Sequence, residues 1–193
     1  MAQQKSFDEA LSLIEQILHE DPKNESAQVL KVQIGVHSKN SEIMESALKS
    51  LVGIAPINLQ YSITLAQLYL DNDEARRAPE VFESLLPQFQ HPDLYFNYAW
   101  FLTRAAEYKK ALINYQKAID LGLQGSEEVH LNMANIYSSW LFSPDLAKKH
   151  LMMALKIKPN YIDALYNLGN LEEDSGNRAV SYTHLTLPTI YSV

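Results

Sequence analysis

The amino-acid sequence predicts an all-α fold, a right-handed α-solenoid of tandem helical hairpins, and three observations carry that expectation. Small residues recur at Ala66, Ala99, Ala134 and Gly169, at intervals of 33, 35 and 35 residues. A second series, Ala10, Met44, Ala78, Ala111 and Ala147, runs at intervals of 34, 34, 33 and 36. A third follows it seven residues later at Ile17, Leu51, Leu85, Ala118 and Ala154. Between the last two lie Ile14, Leu48, Phe82, Tyr115 and Leu151, so every period sets one apolar stripe on one helix face.

The elements follow in order. A helix over 6–20 carries Ala10, Ile14 and Ile17 and stops before Pro22; one over 25–38 carries Val32 and Gly35. The span 41–54 holds Met44, Leu48 and Leu51 and ends before Pro56, and 59–71 is centred on Ala66. Proline ends such helices because it has no amide donor and disfavours helix in the residue before it. Helices are expected at 74–87 around Ala78, Phe82 and Leu85, at 93–105 around Ala99, and at 108–121 around Tyr115. The stretch Gly122-Leu-Gln-Gly125 is a helix stop. The last three expected helices are 127–140, 145–157 before Pro159, and 161–175 around Gly169. On this map residues 1–180 form one array: a half repeat, four full repeats and a half repeat. Each hairpin buries its stripe only against its neighbours, so stability is a sum of nearest-neighbour terms.

These residues resemble the tetratricopeptide repeat (TPR). The match is clearest in Asn132-Met-Ala-Asn-Ile-Tyr137 followed by Asp145-Leu-Ala147, Ala154 and Pro159, and in Ala164-Leu-Tyr-Asn-Leu-Gly-Asn170. The resemblance covers about residues 6–178 and implies a binding scaffold. Two stretches depart from it. The unit at 25–57 has Val32 and Gly35 where a small residue and an aromatic are usual, and Met44 in place of alanine, so looser packing is expected there. The turn 138–143 has one extra residue and should bulge; its Trp140 and Phe142 either fold back as a local plug or offer a partner contact.

Composition narrows the function. The net charge is −7, and with too few cations to displace counterions nucleic acid is not an expected partner. No apolar run of about 18 residues is present to cross a bilayer, so no membrane partner is expected. There is no cysteine, hence no disulfide and no thiolate, and the reading of the start as lacking a secretory signal makes the cytoplasm the expected compartment.

No catalytic set can be assembled, and no cofactor or metal is expected. The histidines at 19, 37, 91, 130, 150 and 184 never fall four apart on one helix, so each is read as solvated or structural. Acidic neighbours such as Glu127-Glu128 do not face each other on a helix and are read as solvated charge. This chain is therefore read as a non-enzyme.

In this repeat class the first helix of each hairpin lines a concave groove. One position there reads Asn97, Asn132 and Asn167, with Thr64 one unit earlier. An amide both donates and accepts, so the three asparagines could clamp a peptide backbone, with Asn135 and Asn170 widening the polar strip. The row resembles the asparagine ladder of O-linked N-acetylglucosamine transferase, which holds extended peptides. The carboxylate clamp of chaperone-binding repeats needs cations where this chain has Phe96, Leu131 and Tyr166; Arg104 is the one cation placed on the groove. With Asp93, Glu128, Asp163 and Glu173 nearby, the expected ligand is a protein or peptide segment, extended and neutral or basic.

Two further resemblances concern the C-terminal part. Residues 127–137 and 161–178 look like the repeat region of bacterial tetratricopeptide sulfotransferases, which makes an alternative: this chain is the N-terminal region of such an enzyme, its catalytic domain missing. From Ser181 to Val193 the composition switches to Thr, Leu and Tyr without Lys, Arg, Asp or Glu. That segment resembles the translated read-through of a sequencing-library adapter, with a natural β-prone tail as the alternative, and is expected to be a non-native or disordered tail that contributes nothing to the fold.

Overall fold

The computed structural model describes residues 2–174; the segment 181–193 lies outside the described residues. Among the described residues there are ten helices and no strand. They are α1 (Ala2–Glu20), α2 (Glu25–Ser38), α3 (Ser41–Ile54), α4 (Leu59–Asp71), α5 (Glu80–Glu83), α6 (Pro92–Arg104), α7 (Tyr108–Asp120), α8 (Ser126–Ser139), α9 (Pro144–Ile157) and α10 (Ile162–Asp174). The chain divides into two compact units, residues 1–90 with 100–105 and residues 91–99 with 106 onward, so α6 contributes to both.

In the first unit α1, α2, α3 and α4 pack in succession. The starts of α2, α3 and α4 are set by asparagine caps: Asn24 accepts from the Ala27 amide, Asn40 from those of Glu42 and Ile43, and Asn58 from that of Gln60. Each side-chain oxygen satisfies amides that have no partner within the helix, which stabilises a start by about 1 kcal/mol. Ile14, Leu48, Leu51 and Ala66 are buried as their series predicts, while Ile17 is 45% exposed.

Two features differ from the sequence reading. The expected helix 74–87 survives as helix only at α5; around it the backbone runs in three-residue turns, Arg77 N–H to the Glu74 carbonyl, Phe82 to Pro79, Leu85 to Phe82 and Gln88 to Leu85. Pro79 and Pro87 both fall within the expected span, each lacking the amide and crowding the residue before it out of a continuing helix. The register nevertheless holds: Ala78, Phe82 and Leu85 are 0%, 0% and 3% exposed, and the Phe82 ring stacks on Phe101 at 5.2 Å. Burying Phe82 or Leu85 contributes about 1.5–3 kcal/mol each, against about 0.5–1.5 for a backbone hydrogen bond, so packing outweighs the broken helix.

The second difference is at Gly35, where the approach of α2 and α3 is close rather than loose. A Cβ placed on Gly35 would stand 2.5 Å from Met44 Cγ and 3.0 Å from the Met44 backbone nitrogen. The large and small residues have exchanged places: Met44 brings the bulk that alanine usually lacks, and Gly35 removes the side chain that would meet it.

In the second unit α8 packs on α9 and α9 on α10, around Leu131, Ala134, Leu151, Ala154, Ala164 and Leu168. Ala99, Ala134 and Gly169 are buried, as their spacing requires. Gly122, at φ 84°, ends α7 as expected, its amide bonded to the Ile119 carbonyl at 2.8 Å. Pro144 opens α9 at its first position, where no amide is needed.

Candidate functional site

The asparagine series lies on α6, α8 and α10, within the second unit, and its three members are half-buried. Their environments are not equivalent. Asn97 turns its amide back onto its own helix, Nδ2 donating to the Asp93 carbonyl at 2.8 Å. Asn132 has its Nδ2 enclosed, with no hydrogen-bond partner among the described residues. A buried, unpaired donor costs about 1–3 kcal/mol. Asn167 donates through Nδ2 to Asn135 Oδ1 at 2.8 Å, joining α10 to α8.

Asn135, Asn167 and Asn170 line a pocket of about 190 Å³ between α8 and α10, with Ser138, Ser139 and Asp174. The two serines and the aspartate were not anticipated. A signal for them existed: Ser138 and Ser139 follow Asn135 by three and four residues, and Asp174 follows Asn170 by four, which is helical adjacency.

Other expected groove residues behave differently. Leu131 is 8% exposed and belongs to the α8–α9–α10 core, because its helix turns that position inward, whereas Tyr166 is 60% exposed. Phe96 is half-buried with its ring 6.0 Å from Tyr115. Arg104, at the end of α6, is exposed with its guanidinium 5.3 Å above the Trp100 ring. Asp93, Glu128, Asp163 and Glu173 are exposed. The bulged turn splits its two aromatics: Trp140 stacks on Tyr108 at 4.9 Å and 15°, while Phe142 is 83% exposed at φ 48°.

Two charged or titratable clusters lie elsewhere. His130 on α8 and His150 on α9 meet with Nδ1 atoms 3.1 Å apart, 5% and 9% exposed, and Tyr137 stacks on His150. Burial pushes both imidazoles down, His150 to about 4 with His130 and Lys149 adding repulsion. Neutral, one ring donates and the other accepts. In the first unit Glu45 takes bonds from Lys49, Arg77 and Tyr69, at 2.8, 2.6 and 3.0 Å. These partners, Lys49 foremost, hold its carboxyl down at about 2. No group of three or more metal-ligating side chains occurs among the described residues. None of the described helices is long and apolar enough to cross a membrane.

No protein-family model matches the chain, and no curated protein matches it by sequence. Solved structures do match it. The crystal structure of MamA shares 19% identity at a TM-score of 0.65, over 79% of this chain and 88% of that one. YrrB, described as a TPR protein with an unusual peptide-binding site, shares 16% at 0.61, over 89% and 88%. PilW, described as a widely conserved type IV pilus biogenesis factor, shares 14% at 0.65, over 99% and 90%. At such identities the likeness is one of fold, and with the helix order above it makes this chain an α-solenoid of tandem TPR-type hairpins.

Proposed function

We propose that the chain is a protein-interaction scaffold that holds an extended, neutral or basic polypeptide segment along α6, α8 and α10. Asn97, Asn132 and Asn167 are assigned to the peptide backbone, and Asn135 and Asn170 to the polar edge of the groove. The observation that carries the reading is the enclosed Asn132 Nδ2, a donor without a partner among the described residues, set in a series whose spacing equals the repeat. The exposed carboxylates Asp93, Glu128, Asp163 and Glu173 favour a neutral or basic segment over an acidic one. The peptide-binding description of YrrB, a protein of the same fold, agrees with this use. In this reading the chain acts by binding, without catalysis, in the cytoplasm.

The test is titration of neutral, basic and acidic extended peptides against the wild type and the N97A/N132A/N167A variant. Losing two or three hydrogen bonds of about 0.5–1.5 kcal/mol each lowers affinity roughly 10- to 1000-fold. Equal affinity for both proteins would refute the clamp. The second reading, that the chain is the N-terminal repeat region of a tetratricopeptide sulfotransferase, rests on the resemblance of residues 127–137 and 161–178, and sequencing the encoding DNA through and past the codons for 181–193 tests it.

A further inference from the structure

We propose that the pocket between α8 and α10 is a subsite for one arginine side chain of the bound segment, so that the groove reads one residue as well as the backbone. This rests on the groove reading above.

The pocket's volume, about 190 Å³, is below the roughly 300–1,000 Å³ of small-molecule sites and suits a single long side chain. Ala134, Leu151 and Leu171 are its apolar lining residues, against which a methylene stem can lie. Its wall is rich in acceptors. The Asn167–Asn135 bond consumes one amide proton of Asn167 and leaves the Asn167 Oδ1 to accept. The hydroxyls of Ser138 and Ser139 and the Asn170 carbonyl oxygen add acceptors, and Asp174 supplies the one charge among the described lining residues. The neighbouring Glu172 is turned away, 2% exposed and ion-paired with Lys148.

Acceptors from two helices around one carboxylate call for a cation with several donors. A guanidinium presents five in a planar fork, whereas an ammonium presents three from a point and is more strongly hydrated. Asp174 is exposed, so its ion pair alone accounts for only roughly a 2- to 5-fold preference. Hydrogen bonds to the other acceptors bring the preference over a neutral isostere to roughly tenfold.

The experiment titrates the full chain with an extended alanine–serine peptide carrying a single arginine, and with the same peptide carrying citrulline, lysine or glutamate instead. Citrulline keeps the shape and removes the charge. The expected order is arginine, lysine, citrulline, glutamate, with arginine roughly tenfold above citrulline. Asp174→Asn should erase most of the arginine–citrulline difference, and Asn170→Ala should reduce arginine binding with an unaltered melting temperature. Equal binding of arginine and citrulline, or a difference untouched by Asp174→Asn, would overturn the subsite. If N97A/N132A/N167A still weakens every peptide in that case, the groove stands without it. Lysine equal to arginine would overturn the guanidinium assignment, and no binding of any peptide would remove both groove and subsite.

Discussion

The hairpin α8–α9 and the stretch 59–89 follow the same apolar pattern yet differ in backbone. Ala147, Leu151 and Ala154 are buried on a continuous 14-residue helix; Ala78, Phe82 and Leu85 are equally buried on a chain of turns with helix at only four residues. The proline position separates them. Pro144 begins its helix, where a missing amide costs nothing, whereas Pro79 falls inside the expected one. In this fold the buried stripe, not the backbone hydrogen-bond ladder, sets where a segment lies.

The largest expected difference between the two regions is in pH dependence. The unfolded His150 takes a proton near 6.5 and the folded one near 4, so the unfolded chain binds more protons between those values and stability falls as pH is lowered through them. Glu45, held at about 2 against an ordinary 4.5, keeps its contribution above 4.5 and loses it only as pH falls toward 2. Amide exchange followed against pH should therefore show α8 and α9 loosening first and α3 and α4 later. Simultaneous loosening, or a flat response of α8–α9 between pH 6.5 and 4, would contradict the buried neutral pair.

A smaller effect sharpens the contrast within the first unit. Gly35→Ala should destabilise by about 1–3 kcal/mol through overpacking against Met44, and adding Met44→Ala should recover much of that loss. Additive losses in the double variant, measured by denaturant unfolding, would show that the two residues do not compensate. The smallest effect is that of Pro79→Ala. Restoring the amide should raise helical circular dichroism and change stability by no more than about 1 kcal/mol, since the buried stripe is already formed. Unchanged helicity would show that the ties of Arg77 to Glu74, Glu45 and Tyr69, rather than the proline, hold 74–79 out of helix.

The fold was largely legible because the period of small and apolar residues is a one-dimensional record of helix contacts, and Ala66, Ala99, Ala134 and Gly169 are all buried. What escaped was contact between helices. His130 and His150 are 20 residues apart, and a search for ligand spacing along a single helix does not join them. Gly35 and Met44 each read as a departure, and only their 2.5 Å approach shows that they compensate. The site was legible as a series of asparagines but not as a geometry. The bond from Asn167 to Asn135 links one member of the row to the adjacent strip, and Leu131 turned inward where a groove residue was expected.

The most direct test of the groove follows the side-chain amide resonances of Asn97, Asn132 and Asn167 by NMR while a neutral or basic extended peptide is added. The account predicts that the three move together with one saturation curve, that the Asn132 amide moves furthest as its enclosed proton gains an acceptor, and that α7 and α9 stay unchanged. A bound peptide that leaves all three asparagines still, or shifts α7 and α9 instead, would contradict it.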